Sequence, residues 1–182
     1  GLELLDAGAC RAFAVADHQV AHIYVNDPSI RHKVRAAVEG TLGVAEVREG
    51  CFGEGLGGRR GGDFVAVADP EAWFTYYYWD DDRRAPDFAR CVDIHRKPGY
   101  DPVELFIDPE MRMAKPRMAM KLLRKKLGFR MLMDVIPLDA SLVKGSHGRR
   151  PEDTADWPLL MGDFDGLPGS GAVAATDVYD LL

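Results

Sequence analysis

Apolar residues fall in short bursts along the chain, and the spacing within each burst sets the predicted elements. Arg11 to Ala16 (R-A-F-A-V-A) and Ala21 to Val25 (A-H-I-Y-V) read as two strands joined through Asp17, His18 and Gln19. Asp27-Pro28-Ser29 predicts a helix start, with Asp27 as N-cap and Pro28 in the first turn. Helical spacing then puts Ile30, Val34, Ala37 and Val38 on one face, with Arg31, Lys33 and Arg35 outside, until Gly40 stops the helix. Val44 to Val47 and Phe64 to Ala68 read as further strands, and a strand, a helix and a strand in that order predict an α/β layer. The aromatic run Trp73 to Trp79 suits a pleated, packed surface or a pocket wall. Val103 to Ile107 reads as a strand and Pro116 to Leu127 as a helix. The helix's Met118, Leu122 and Lys125 stripe is read as core packing with snorkelling lysines, in preference to a membrane anchor. Pro158 to Met161 is a predicted strand, and Thr176 is read as the cap of a final helix, Asp177 to Leu182. No internal repeat interrupts this order, so a single domain over residues 1–182 fits.

Composition narrows the class. A chain of 182 residues, 47% hydrophobic, is long enough for one sizeable core. A net charge of −6 argues against a general binder of nucleic-acid polymers, whose surface must be basic. No apolar window reaches bilayer length and nothing resembles a signal peptide, so a soluble protein with no membrane partner is expected. Three cysteines, Cys10, Cys51 and Cys91, show no metal-type pairing and read as reduced thiols of a cytoplasmic protein. The chain opens directly on an apparently helical G-L-E-L-L-D-A-G and closes on an apolar helix, which predicts a piece of a longer chain.

Three stretches carry candidate chemistry. Gly50 to Gly62 holds seven glycines in thirteen residues; a phosphate cradle needs a helix start behind it, and a strand follows instead, so it reads as a flexible loop. In Cys91 to Pro102 (C-V-D-I-H-R-K-P-G-Y-D-P), an extended backbone puts Asp93 and His95 on one face, where a carboxylate and an imidazole can share one cation. Arg96 and Lys97 beside them are placed to hold an anion. The same residues serve equally as a turn at Pro98-Gly99 stabilised by a His-Asp hydrogen bond. In Leu142 to Gly162, His147 sits among Gly145, Ser146 and Gly148, which leave its ring unshielded. Taken alone it reads as a solvated loop histidine.

The pattern K-G-S-H-G, a polar loop, P-L-L-M-G, a second loop and T-D-V-Y-D-L-L resembles the C-terminal end of the alkaline phosphatase superfamily, in its type I phosphodiesterase and nucleotide pyrophosphatase branch. G-G-D-F-V-A-V-A-D at Gly61 to Asp69 resembles that branch's Gly-Asp and apolar strand, and A-R-C-V-D-I-H-R-K-P-G-Y-D-P looks like a segment of its bacterial members. The likeness runs over nearly the whole chain; the late His-Gly is its most transferable motif and the glycine-rich run its poorest fit. It implies part of a three-layer αβα sandwich with an added β-rich aromatic segment, and a metal-dependent hydrolase of phosphodiester or pyrophosphate bonds. Two divalent ions are implied, zinc first, with manganese or iron suited to the same donors. His147 would be a metal ligand by motif, with Asp93 and His95 as candidates by chemistry, and Arg96 and Lys97 would hold the phosphoester of a small-molecule substrate. Asp17-His18 matches the family's Asp-His metal pair except that Gln19 stands where the family has Gly, so A-H-I-Y-V is read as a strand downstream of the true pair. The Thr or Ser nucleophile and the first aspartate ligand belong to the family's N-terminal half, which no stretch here resembles. The 182 residues alone are therefore expected to be inactive without that half as partner. The competing expectation is a non-catalytic ligand- or protein-binding module that uses the aromatic run and the glycine loop, with structural histidines.

Overall fold

Ala12–Asp17 (β1) and Val20–Val25 (β2) form an antiparallel hairpin with Asp17 opposite Val20, so His18 and Gln19 alone make the turn. The computed structural model describes residues 1–50, 61–93, 97, 101–162 and 171–181. Val44–Glu49 (β3) and Phe64–Ala68 (β4) complete a four-stranded sheet of order β1-β2-β4-β3, antiparallel throughout. The chain is thus mixed α/β, but the strands on either side of the first helix are not neighbours: β4 enters between them, and the predicted α/β layer becomes an antiparallel sheet with a helix on it. β4 is the central strand, and all five of its residues are buried. That is why F-V-A-V-A lacks polar alternation. Gly62, just ahead of β4, lies so close to β2 that a Cβ would stand 2.7 Å from both the amide nitrogen and the carbonyl oxygen of Ile23.

Asp27 accepts a hydrogen bond from the Ser29 amide at 2.9 Å and starts a 3-10 turn, Pro28–Ile30, which runs into helix α1, Arg31–Glu39. α1 packs Val34 and Val38 against Ala21, Ile23, Val47, Phe64 and Ala66. Arg31 and Arg35 do not simply point outward as the spacing predicts. Their guanidinium groups lie 4.3 and 5.9 Å from the centre of the Phe64 ring and are both held by Glu49, at 2.7 and 2.6 Å. The cations and their stems lie over the face of the Phe64 ring.

Several predicted strands are absent. Trp73 to Trp79 is irregular, its ring edges meeting in a second cluster in which Tyr76 and Trp79 are buried with Ala85 and Ala89. Val103 to Ile107 begins instead in a 3-10 helix, Pro102–Leu105, because Asp101 accepts from the Val103 amide at 3.1 Å and Pro102 fixes the first turn. A local cap outweighs the β preference of Val, Phe and Ile. Pro158 to Met161 likewise forms no strand. Helix α2, Ala114–Lys126, ends at Gly128, whose φ of 85° allows the Phe129 amide to reach the Arg124 carbonyl (3.1 Å) and its own amide the Lys125 carbonyl (3.0 Å). No residue of α2 is buried, so the core packing expected of Met118, Leu122 and Lys125 does not occur.

The chain divides into two compact units, Gly1–Arg149 and Arg150–Leu182. The second is built from short turns. A 3-10 turn, Thr154–Asp156, is capped by Asp153, and the Arg150 guanidinium lies 4.5 Å from the centre of the Trp157 ring. A further 3-10 turn, Ala175–Asp177, leads into α3, Val178–Leu181. Thr176 does not cap it: its hydroxyl meets the Asp177 carboxylate at 3.1 Å, and Ala174 holds the cap position. Among the described residues no helix is long and apolar enough to cross a membrane.

Candidate functional site

The β1-β2 turn carries the most constrained side chain of the sheet. His18 adopts φ 55°, a left-handed backbone that His tolerates better than most residues, and yet it is only 5% exposed. Backbone strain of this kind persists where neighbours hold it, and here they do. The His18 carbonyl accepts from the Phe74 amide at 2.7 Å. The Gln19 amide donates to the His147 carbonyl and the Gln19 carbonyl accepts from the Ala68 amide, both at 2.9 Å. The Gln19 side chain donates to the carbonyls of Pro70 and Ala72, both at 3.2 Å. A glycine at position 19 would make none of these side-chain bonds, so Gln19 serves the local fold.

The same bonds bring the late histidine to the hairpin. Gly148, at φ 112°, presses against it, with a would-be Cβ 3.3 Å from Val20 Cγ2 and 3.5 Å from the Asp17 carbonyl oxygen. The His147 ring then stacks on the His18 ring, centroids 4.0 Å apart and planes inclined by 29°. Ser146 Oγ stands 3.0 Å from His18 Nδ1 and orients that ring. Asp17, His18, Gly145, Ser146 and His147, together with Pro102 and Leu105, line an open hollow of about 580 Å³. This is the size of a small-molecule site.

Burial holds the His18 imidazole below its usual protonation range; the His147 ring alongside pushes the same way, and Asp17 pulls weakly against both. The shift favours the neutral imidazole, the form in which histidine binds a metal or accepts a proton. Among the described residues no three His, Cys, Asp or Glu side chains converge as a complete ligand set. The two stacked rings offer at most a pair of nitrogen donors, short of a complete metal site among the described residues. No family model, curated protein or solved structure matches the chain.

The other candidates lie elsewhere. Asp93 is half-buried and does not line the hollow; His95 and Arg96 lie outside the described residues, as does most of the glycine-rich run. Lys97 does not face open space: its side chain is 0% exposed and its ammonium lies 3.2 Å from Asp101 and 2.9 Å from Glu104. The aromatic run contributes no residue to the hollow, and the buried Tyr76 and Tyr77 hydroxyls find no hydrogen-bond partner among the described residues. Cys91 is buried and its thiol is pushed up by that burial; Cys10 is free as expected, and Cys51 lies outside the described residues. Sequence reasoning missed Ser146, Pro102 and Leu105 as site residues and passed over Asp17-His18. For that pair the signal was present, since D-H directly follows an apolar strand; for Pro102 and Leu105 nothing in the spacing pointed to a pocket.

Proposed function

We propose that the chain supplies part of the metal site of a phosphodiesterase or nucleotide pyrophosphatase, within a larger alkaline-phosphatase-like three-layer αβα sandwich of which the four-stranded sheet is one piece. The observation that carries this reading is the meeting of His18 and His147, from opposite ends of the chain, beside the Asp17 carboxylate at an open hollow. The Asp-His pair and the late His of the family resemblance thus become neighbours. His18 and His147 would supply part of the donor set of one divalent ion, zinc first, with manganese or iron suited to the same donors. Asp93 and His95 are assigned to the second ion's donor set, and Arg96 to the phosphate oxygens; Lys97 is left out because two carboxylates already hold it. Two such ions supply a Lewis acid for the nucleophile and a charge sink at the leaving oxygen. The chain's own part is to keep His18 neutral by burial, to aim its ring through Ser146, and to offer Pro102 and Leu105 as an apolar wall for the leaving group. On this reading no residue of the 182 is assigned as the nucleophile, and a cytoplasmic location goes with it.

Zinc titration of the chelator-stripped chain tests it. His147→Ala and His18→Asn, the latter chosen because Asn also tolerates the left-handed backbone, are each expected to weaken zinc binding at least about tenfold. The chain alone is expected to leave bis(4-nitrophenyl) phosphate unhydrolysed. Wild-type zinc affinity in both variants would overturn the metal site and leave the histidines structural, as in a non-catalytic binding module.

A further inference from the structure

Helix α2 shows its apolar side to solvent. At 3.6 residues per turn, Pro116, Ala119, Met120, Leu123 and Leu127 share an arc of about 100°. The half-buried positions Ala114, Met118 and Lys121 lie on the opposite side. The outward stripe is open: Met120 is 58%, Leu123 49% and Leu127 65% exposed, and Phe129 just beyond the helix is 60% exposed. Cations border it on both edges, Lys115 and Lys126 on one and Arg117 and Arg124 on the other. From Met111 to Met133 the sequence holds eight Lys and Arg and no Asp or Glu, within a chain whose net charge is −6. Asp134 ties the helix to the rest of the unit. Lys121 pairs with Asp134 and donates to the Leu132 carbonyl at 2.9 Å, and Arg117 reaches Asp134 at 3.5 Å.

From this placement we infer that α2 docks flat on an anionic phospholipid bilayer, its apolar stripe sunk at the headgroup boundary. Low overall hydrophobicity, a solvent-facing apolar stripe and a basic border on both of its edges suit an interfacial helix and not a spanning one. Charge complementarity selects the occupant. A flat sheet of negative headgroups meets both basic edges at once, and the long Lys and Arg side chains can snorkel to it while the Leu and Met side chains go deeper. This surface is separate from the hollow and stands or falls independently of the metal reading.

Co-sedimentation of the 182-residue chain with vesicles decides the matter. Vesicles with about 30 mol% phosphatidylserine are expected to bind it at least about tenfold more strongly than phosphatidylcholine alone, with the difference shrinking as salt is raised. Leu123→Gln with Leu127→Gln leaves the charge intact and is expected to abolish binding, as is Arg124→Glu with Lys126→Glu. All four positions are exposed, so unchanged thermal unfolding is expected to show that the variants fold. Equal binding to neutral vesicles, no binding to anionic ones, or full binding by the leucine pair variant would each overturn the inference. So would a concentration-dependent dimer that the leucine variant dissociates and anionic vesicles do not, which would make a second copy the occupant.

Discussion

At the scale of single residues, the histidine at the hairpin tip has the sharpest consequence. In an unfolded chain its ring titrates near 6.5, whereas in the fold burial, and secondarily His147, hold that value lower. Between the two values the unfolded chain binds the proton and the folded one does not, so stability must fall as pH drops below about 6.5 and level off under the folded value. The contribution is fully present above the unfolded pKa. Thermal unfolding between about pH 7.5 and about pH 5, with a chelator present throughout, checks this: the wild type is expected to lose more stability than His18→Asn over that range. Parallel curves would mean that His18 is protonated as readily in the fold as out of it. Residues in this position also show why the site was only half legible. Aspartate and histidine after an apolar strand were visible in the sequence, but the value of Gln19 lay in carbonyls some fifty residues away, and no local pattern carries that information.

At the scale of elements, the four strands and α1 were legible because their apolar positions, and the Asp27-Pro28 start, answer to one another over short distances. The stretch around Val103 was not. Its β-branched and aromatic residues favour a strand, but Asp101 caps a 3-10 turn, and Lys97 anchors that turn from beneath through Asp101 and Glu104. A basic residue in a loop ordinarily reads as exposed; only tertiary placement shows it surrounded, with Tyr76 near its ammonium. Removing the cation leaves two buried carboxylates without their counter-charge. Lys97→Met is accordingly expected to cost about 3–5 kcal/mol, a fall in Tm on the order of 10 °C for a chain of this size. Replacing Lys97, Asp101 and Glu104 together by apolar residues is expected to recover most of that loss. If Lys97→Met melted like the wild type, the ammonium would not be the partner that holds the turn carrying Pro102 and Leu105 against the hollow.

At the scale of the whole molecule, stability is distributed unevenly. Unit 1 owns the sheet, both buried clusters and the buried Lys97 ion pairs, and its central strand has Phe64, Val65, Ala66 and Ala68 at most 1% exposed. Among the described residues of unit 2 none is buried, and its backbone bonds are those of isolated turns such as Asp156 to Asp153 and Trp157 to Thr154. Local opening costs little where few apolar contacts and few shielded hydrogen bonds are lost. Hydrogen exchange read by mass spectrometry should therefore separate the units. Peptides covering residues 64–68 are expected to exchange only through global unfolding, while those covering residues 154–161 exchange within seconds, about as fast as an open chain. The contrast bears on the resemblance as well, because the apolar run Pro158 to Met161 was predicted as a strand and forms none here. If that peptide were protected as strongly as β4, its amides would have to be paired in a sheet, and the account of unit 2 as a series of turns would fail.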